Sequence, residues 1–130
     1  AQTDHFICKK IKDLFNDENE VEIISNELNV FEIEKIISQF NFIIASRYHS
    51  IVNAFKNGIP VLAIGWAAKY FELMRDFNQL DYIFDTQKNF EKSKVLDGLS
   101  KLLERYSEEK KMIKSKLDQM KKNKIFNVLE

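Results

Sequence analysis

Cysteine, proline and glycine are scarce in this 130-residue chain, which has one, one and three of them respectively. The single cysteine, Cys8, excludes an intrachain disulfide, so packing alone must hold the fold, as expected of a redox-neutral, cytoplasmic protein. Three glycines exclude a glycine-rich phosphate cradle, and no Walker loop, GxGxxG fingerprint, zinc knuckle or Gly-x-Ser-x-Gly elbow is present. Twenty acidic and twenty basic residues cancel, so the basic excess typical of nucleic-acid binders is missing and no nucleic-acid partner is expected. No apolar run approaches the roughly 20 residues that span a bilayer, which leaves at most peripheral membrane contact. The opening Ala-Gln-Thr-Asp-His lacks the basic and apolar regions of a signal peptide. It also lacks an initiator methionine and runs straight into a helix-like segment, so we expect a chain cut from a longer protein. Glu72, Asp76 and Asp81 lack the spacing of a catalytic carboxylate pair or a metal site, and no metal or cofactor is expected.

What the chain does have is apolar mass. It is 45% hydrophobic with eleven phenylalanines, enough to bury a core in one compact domain. From Asp4 to Phe15, Phe6, Ile7, Ile11, Leu14 and Phe15 recur at helical spacing; His5 and Cys8 read as ordinary residues of that helix. Asn16–Asn19 is a polar turn, and the β-branched run Val21–Ile24 suits a strand. Val30–Phe40 returns to helical period, with Asn29 as its cap. Phe42–Ala45 is continuously apolar, as in a strand buried on both faces. A helix with Tyr48, Ile51, Val52 and Phe55 on one face follows, capped by Ser46 and stopped at Gly58. Pro60–Ile64 is the next strand, with its proline at the start, where the missing N–H costs least. Gly65–Ala67 reads as a loop, Lys69–Phe77 as a helix and Leu80–Phe84 as a short strand or extended edge.

Beyond Asp85 the pattern is wholly helical. Val95, Leu99, Leu102, Leu103, Tyr106, Ile113, Leu117 and Met120 form one stripe, on a single long helix or a tightly bent pair. Alternating helices and continuously apolar strands indicate an α/β fold with a parallel sheet of three or four strands, flanked by helices. We divide the chain into an α/β domain over 1–92 and a helical tail over 93–130.

In such sheets ligands bind beyond the carboxyl ends of the strands. Two loops there carry suggestive residues. After the first strand come Ser46, Arg47, Tyr48 and His49. Exposed N–H groups and the helix dipole favour an anion, and Arg47 offers a planar fork for carboxylate or phosphate. His49 carries an imidazole, a side chain suited to proton transfer, with Asn53 one turn on along the same face. After the next strand, Gly65 and Trp66 lead to Lys69 at the start of another helix. Trp66 reads equally as a core anchor or a wall of the site. Cations at two adjacent strand ends suit a ligand with two anionic groups, phosphoenolpyruvate or a nucleotide diphosphate. The plainer alternatives are a packed surface histidine and a solvated lysine.

The tract from Phe42 to Ile64, with Ser46-Arg47-Tyr48-His49 and Gly58-Ile59-Pro60-Val61, resembles the signature of the polysaccharide pyruvyl transferase family. Gly65-Trp66-Ala67-Ala68-Lys69 looks like that family's lysine-bearing loop, although Ala67-Ala68 offers no polar side chain before the lysine. The resemblance implies a glycosyltransferase-B-like architecture, two Rossmann-like domains across a cleft, with this chain the carboxyl-terminal half. It implies pyruvyl transfer from a phosphoenolpyruvate donor to a saccharide acceptor of a surface polysaccharide. Arg47 and His49 would be catalytic, with Ser46, Asn53, Gly65, Trp66 and Lys69 binding substrate. The amino-terminal domain would supply most acceptor contacts, leaving this half alone inactive. Two alternatives stand beside it. One is half of a nucleotide-sugar glycosyltransferase, for which Glu72 is the one weak ribose-binding candidate. The other is a non-catalytic assembly module whose carboxyl-terminal stripe pairs with a partner helix; self-association through that helix is expected under either reading.

Overall fold

The computed structural model describes residues 2–14, 22–24, 27–88 and 90–129. Its elements run α1 (Gln2–Asp13), α2 (Val30–Ile37), β1 (Ile43–Ala45), α3 (Tyr48–Lys56), β2 (Val61–Ile64) and α4 (Ala68–Asp76). A single 3-10 turn over Leu80–Tyr82 leads into β3 (Ile83–Phe84), and α5 (Lys92–Leu129) closes the chain. The three strands form one parallel sheet in the order β1-β2-β3, with helices flanking it, so the α/β expectation holds. Of the expected strand over Val21–Ile24, Val21 lies outside the described residues and 22–24 are not in a strand; the polar turn over Asn16–Asn19 also lies outside them.

β2 is the centre of the core. Val61, Leu62 and Ala63 are all buried, as a strand covered on both faces requires. Pro60 stands just before it, and its carbonyl accepts from the Ile43 N–H, so the residue without a donor still contributes to the ladder. β1 departs from expectation: Ile44 is 58% exposed, so this strand is not buried on both faces. It is three residues long, at the edge of the sheet among the described strands, and its alternating residues face different surroundings.

The helix ends follow local chemistry. Asn29 caps α2 through a reciprocal box, its Oδ1 accepting from Glu32 N–H at 2.9 Å while Glu32 Oε1 accepts from Asn29 N–H at 3.3 Å. The helix stops at Ile37, short of the expected Phe40, and the Ser38 hydroxyl turns back onto the Lys35 carbonyl. α3 ends in a Schellman turn: Ile59 N–H reaches Ala54 O, Gly58 N–H reaches Phe55 O, and Gly58 takes φ +73°. α4 ends in the same turn with Asn78 at φ 57°, Gln79 N–H bonding Met74 O and Asn78 N–H bonding Arg75 O.

α5 is one continuous helix of 38 residues, so the bent pair is set aside. Its stripe folds back on the domain: Leu102 and Ile113 are fully buried, and Val95, Leu99, Tyr106 and Leu117 pack partly buried against the same core. Leu103 and Met120, counted in that stripe, are exposed. The stem of Lys114 lies across Gly58, where an added Cβ would come within 2.7 Å of it. Phe6, Ile7 and Ile11 on α1 and Leu14 just after it are likewise exposed, as are Val30 and Phe31 on α2. No helix among the described residues is long and apolar enough to cross a membrane.

Candidate functional site

The sheet register sets the site. Ala45 of β1 pairs with Ala63 of β2, so the two chains leave the sheet side by side at its carboxyl edge. Gly65 N–H extends the ladder by bonding Phe84 O at 3.1 Å, which holds the second loop to β3 as well.

Each loop then enters a helix without a side-chain cap. Arg47 is the N-cap of α3 (φ −96°, ψ 131°) and Ala67 that of α4 (φ −75°, ψ 149°); neither makes a side-chain capping bond. The expected cap, Ser46, is therefore corrected. The chain stays extended one residue longer, and the Ser46 carbonyl is taken up elsewhere. Neither first turn carries an acidic residue, so no carboxylate side chain there neutralises the positive helix ends.

Around these two helix starts the side chains converge. Lys69 Nζ stands 4.7 Å over the Tyr48 ring, a cation–π contact that ties the second loop's lysine to the first loop's helix. The Tyr48 ring meets His49 edge-on at 6.0 Å and Tyr70 edge-on at 5.6 Å. Tyr70 Oη donates to the Ser46 carbonyl at 3.0 Å. Its ring also fills the space over Gly65, where a Cβ would come within 2.9 Å of it, so only glycine fits that close approach.

The structure thus brings together Ser46, His49, Gly65 and Lys69 from the sequence-predicted set. Arg47 sits between Ser46 and Tyr48 on the same edge, and Arg47, His49 and Lys69 are all exposed. Trp66 is 58% exposed, so it is not a core anchor. Asn53 is half-buried one turn beyond His49; its carbonyl takes the Asn57 side-chain amide, and no hydrogen bond among the described residues joins its side chain to the converging group. Tyr48 and Tyr70 are the residues that sequence reasoning missed. Tyr48 read only as part of an apolar face, and Tyr70 as part of a helix. The available signal was a tyrosine in the first turn of each of the two helices that follow adjacent strands. Among the described residues no cluster of three or more His, Cys, Asp or Glu side chains could hold a metal ion.

Chemically, the edge presents one guanidinium, one ammonium and one imidazole beside two uncapped helix N-termini. Such a surface suits an anionic ligand with more than one charged group.

Comparison with known proteins gives one finding. A family model described as polysaccharide pyruvyl transferase matches residues 2–67, half of the chain, covering β1, α3, β2 and the start of the second loop. Lys69 and Tyr70 lie just past the matched segment. No curated protein and no solved structure compared with the chain matches it. On the strength of that match across the first strand end, the chain belongs to the polysaccharide pyruvyl transferase family.

Proposed function

We propose that the edge formed by Ser46–His49 and Gly65–Lys69 is the donor site of a pyruvyl transfer from phosphoenolpyruvate to a saccharide. The observation that carries this is the pairing of the two strand ends: Lys69 from one loop lies on the Tyr48 ring of the other, beside Arg47 and His49. Phosphoenolpyruvate has a phosphate and a carboxylate to match two cations held at neighbouring positions. Arg47 has the geometry for a bidentate bond to either group, and Lys69 supplies a compact second charge.

In the proposed reaction His49 delivers a proton to the enol methylene carbon, which becomes a methyl group. The electron deficiency then rests on C2, and one sugar hydroxyl adds there. The C2–O bond to phosphate breaks, and a second hydroxyl of the same sugar closes the cyclic ketal. One of the two hydroxyl protons balances the proton taken up by carbon; the other leaves with inorganic phosphate. Arg47 and Lys69 stabilise the negative charge gathering on the leaving phosphate. The saccharide acceptor, the glycosyltransferase-B-like pairing with an amino-terminal domain and a surface-polysaccharide product follow from the same proposal.

Titrating phosphoenolpyruvate into the chain, followed by amide NMR, tests it. Shifts centred on 46–53 and 65–70, abolished by Arg47→Ala and by His49→Ala, are expected. Uridine diphosphate is the control. If it moves those amides while phosphoenolpyruvate leaves them still, the site belongs to a nucleotide-sugar donor instead.

A further inference from the structure

Neither Arg47 nor Ala67 caps its own helix, yet the two loops hold a defined relation to each other. Four observations locate the cause in one side chain. Tyr70 Oη donates to the Ser46 carbonyl at 3.0 Å, a bond that crosses from the second loop's helix to the peptide joining Ser46 to Arg47. The Tyr70 ring packs edge-on against Tyr48 at 5.6 Å. It covers Gly65, so its own position is set by the backbone leaving β2. Lys69, its chain neighbour, rests on the ring of Tyr48.

From this we propose that Tyr70 is the positioning residue of the site, fixing Arg47 and His49 of one strand end against Lys69 of the next. This rests on the donor-site proposal above, but the coupling of the loops can be measured without any ligand. The physical reasoning is short. Arg47 makes no side-chain capping bond to α3, and the peptide plane that precedes it carries the Ser46 carbonyl. Here that plane is held from outside, by a phenol on the neighbouring helix. Its orientation sets where the Arg47 side chain leaves the backbone and how the first N–H groups of α3 are directed. Removing the hydroxyl leaves both loops folded but takes away that one hold on the plane. A bidentate grip on an anion needs its groups held to a fraction of an ångström, so binding suffers where stability does not.

The test is Tyr70→Phe, which keeps the ring over Gly65 and against Tyr48 and deletes only the bond. Without ligand, amide resonances of Ser46–His49 are expected to move, although they lie 24 residues away in sequence and on the neighbouring strand end. The melting temperature should stay within about 3 °C of wild type. With phosphoenolpyruvate, affinity should fall about fivefold, the loss of a single hydrogen bond's worth of alignment. Arg47→Ala and Lys69→Ala should be non-additive in their effects on affinity in the wild-type background and additive in Tyr70→Phe. Unmoved amides at Ser46–His49 in the ligand-free variant would overturn the inference, as would unchanged affinity and unchanged coupling. If wild type does not bind phosphoenolpyruvate, the donor-site proposal fails and the ligand-free arm alone decides the role of Tyr70. Moved amides then uphold the loop coupling and still amides refute it.

Discussion

Gly58 and Asn78 hold the same place in two helix-ending turns, and both adopt left-handed backbone. Gly58→Ala adds a methyl at φ +73° into the stem of Lys114, and should destabilise by about 1–2 kcal/mol in urea unfolding. Asn78→Gly should be neutral or mildly stabilising, since asparagine tolerates that conformation and glycine prefers it. Equal losses at both positions would show that the turns are held by something other than backbone preference. Tyr82 is a different residue-scale case. It is fully buried, and neither its hydroxyl nor the Oε1 of buried Gln79 has a hydrogen-bond partner among the described residues. Burial, and then the Glu109 carboxylate, raise the Tyr82 hydroxyl well above the usual tyrosine range. The unfolded chain ionises this group near pH ~10, while the fold keeps it neutral, so stability is present below that pH and lost as pH rises beyond it. Tyr82→Phe should therefore be neutral or stabilising at pH 7, by up to about 1 kcal/mol, and should flatten the alkaline fall of stability. A loss above about 2 kcal/mol at neutral pH would mean that the hydroxyl is satisfied in solution.

At the scale of elements, the strand–helix alternation was legible because its signals are local. Continuous apolar runs, Asn29 before a helical period, Gly58 after one and Pro60 ahead of a strand each act within a few residues. The core strand Pro60–Ile64 came out almost as read for that reason. What the sequence withheld depends on neighbours. Ile44 carries the same β-branched signature whether its face is covered or open, so the exposure of β1 was not visible. Ser46 has better intrinsic capping chemistry than Arg47, yet the chain enters α3 one residue later. The aromatic contacts of Tyr48 and Tyr70 are tertiary, and no spacing rule within one helix reveals them. Of the candidate site, the charged residues could be read and their scaffold could not. α5 also belongs to this scale. Leu102 and Ile113, eleven positions apart, are both fully buried on one helix, so either Leu102→Ala or Ile113→Ala should cost about 2–4 kcal/mol. A loss below 1 kcal/mol at both would mean that the long helix is not part of the cooperative core.

For the molecule as a whole, burial is uneven. The core gathers around β2, α3, the α4 end and α5, whereas α1 and α2 present Phe6, Ile7, Val30 and Phe31 to solvent. Apolar faces of this kind promote association, so light scattering should show mass rising with concentration, and Phe31→Glu should reduce the rise. A strictly monomeric chain at high concentration would refute this.

Trp66 has one consequence of its own. It is the only tryptophan in the sequence, it is more than half exposed, and it lies between Gly65 and Lys69 on the second loop. Its indole emission therefore comes from a single known place, with no competing fluorophore of its kind to subtract. The chain carries a built-in optical probe of this edge of the sheet, and quenching by a soluble collider would report how far any bound molecule shields it.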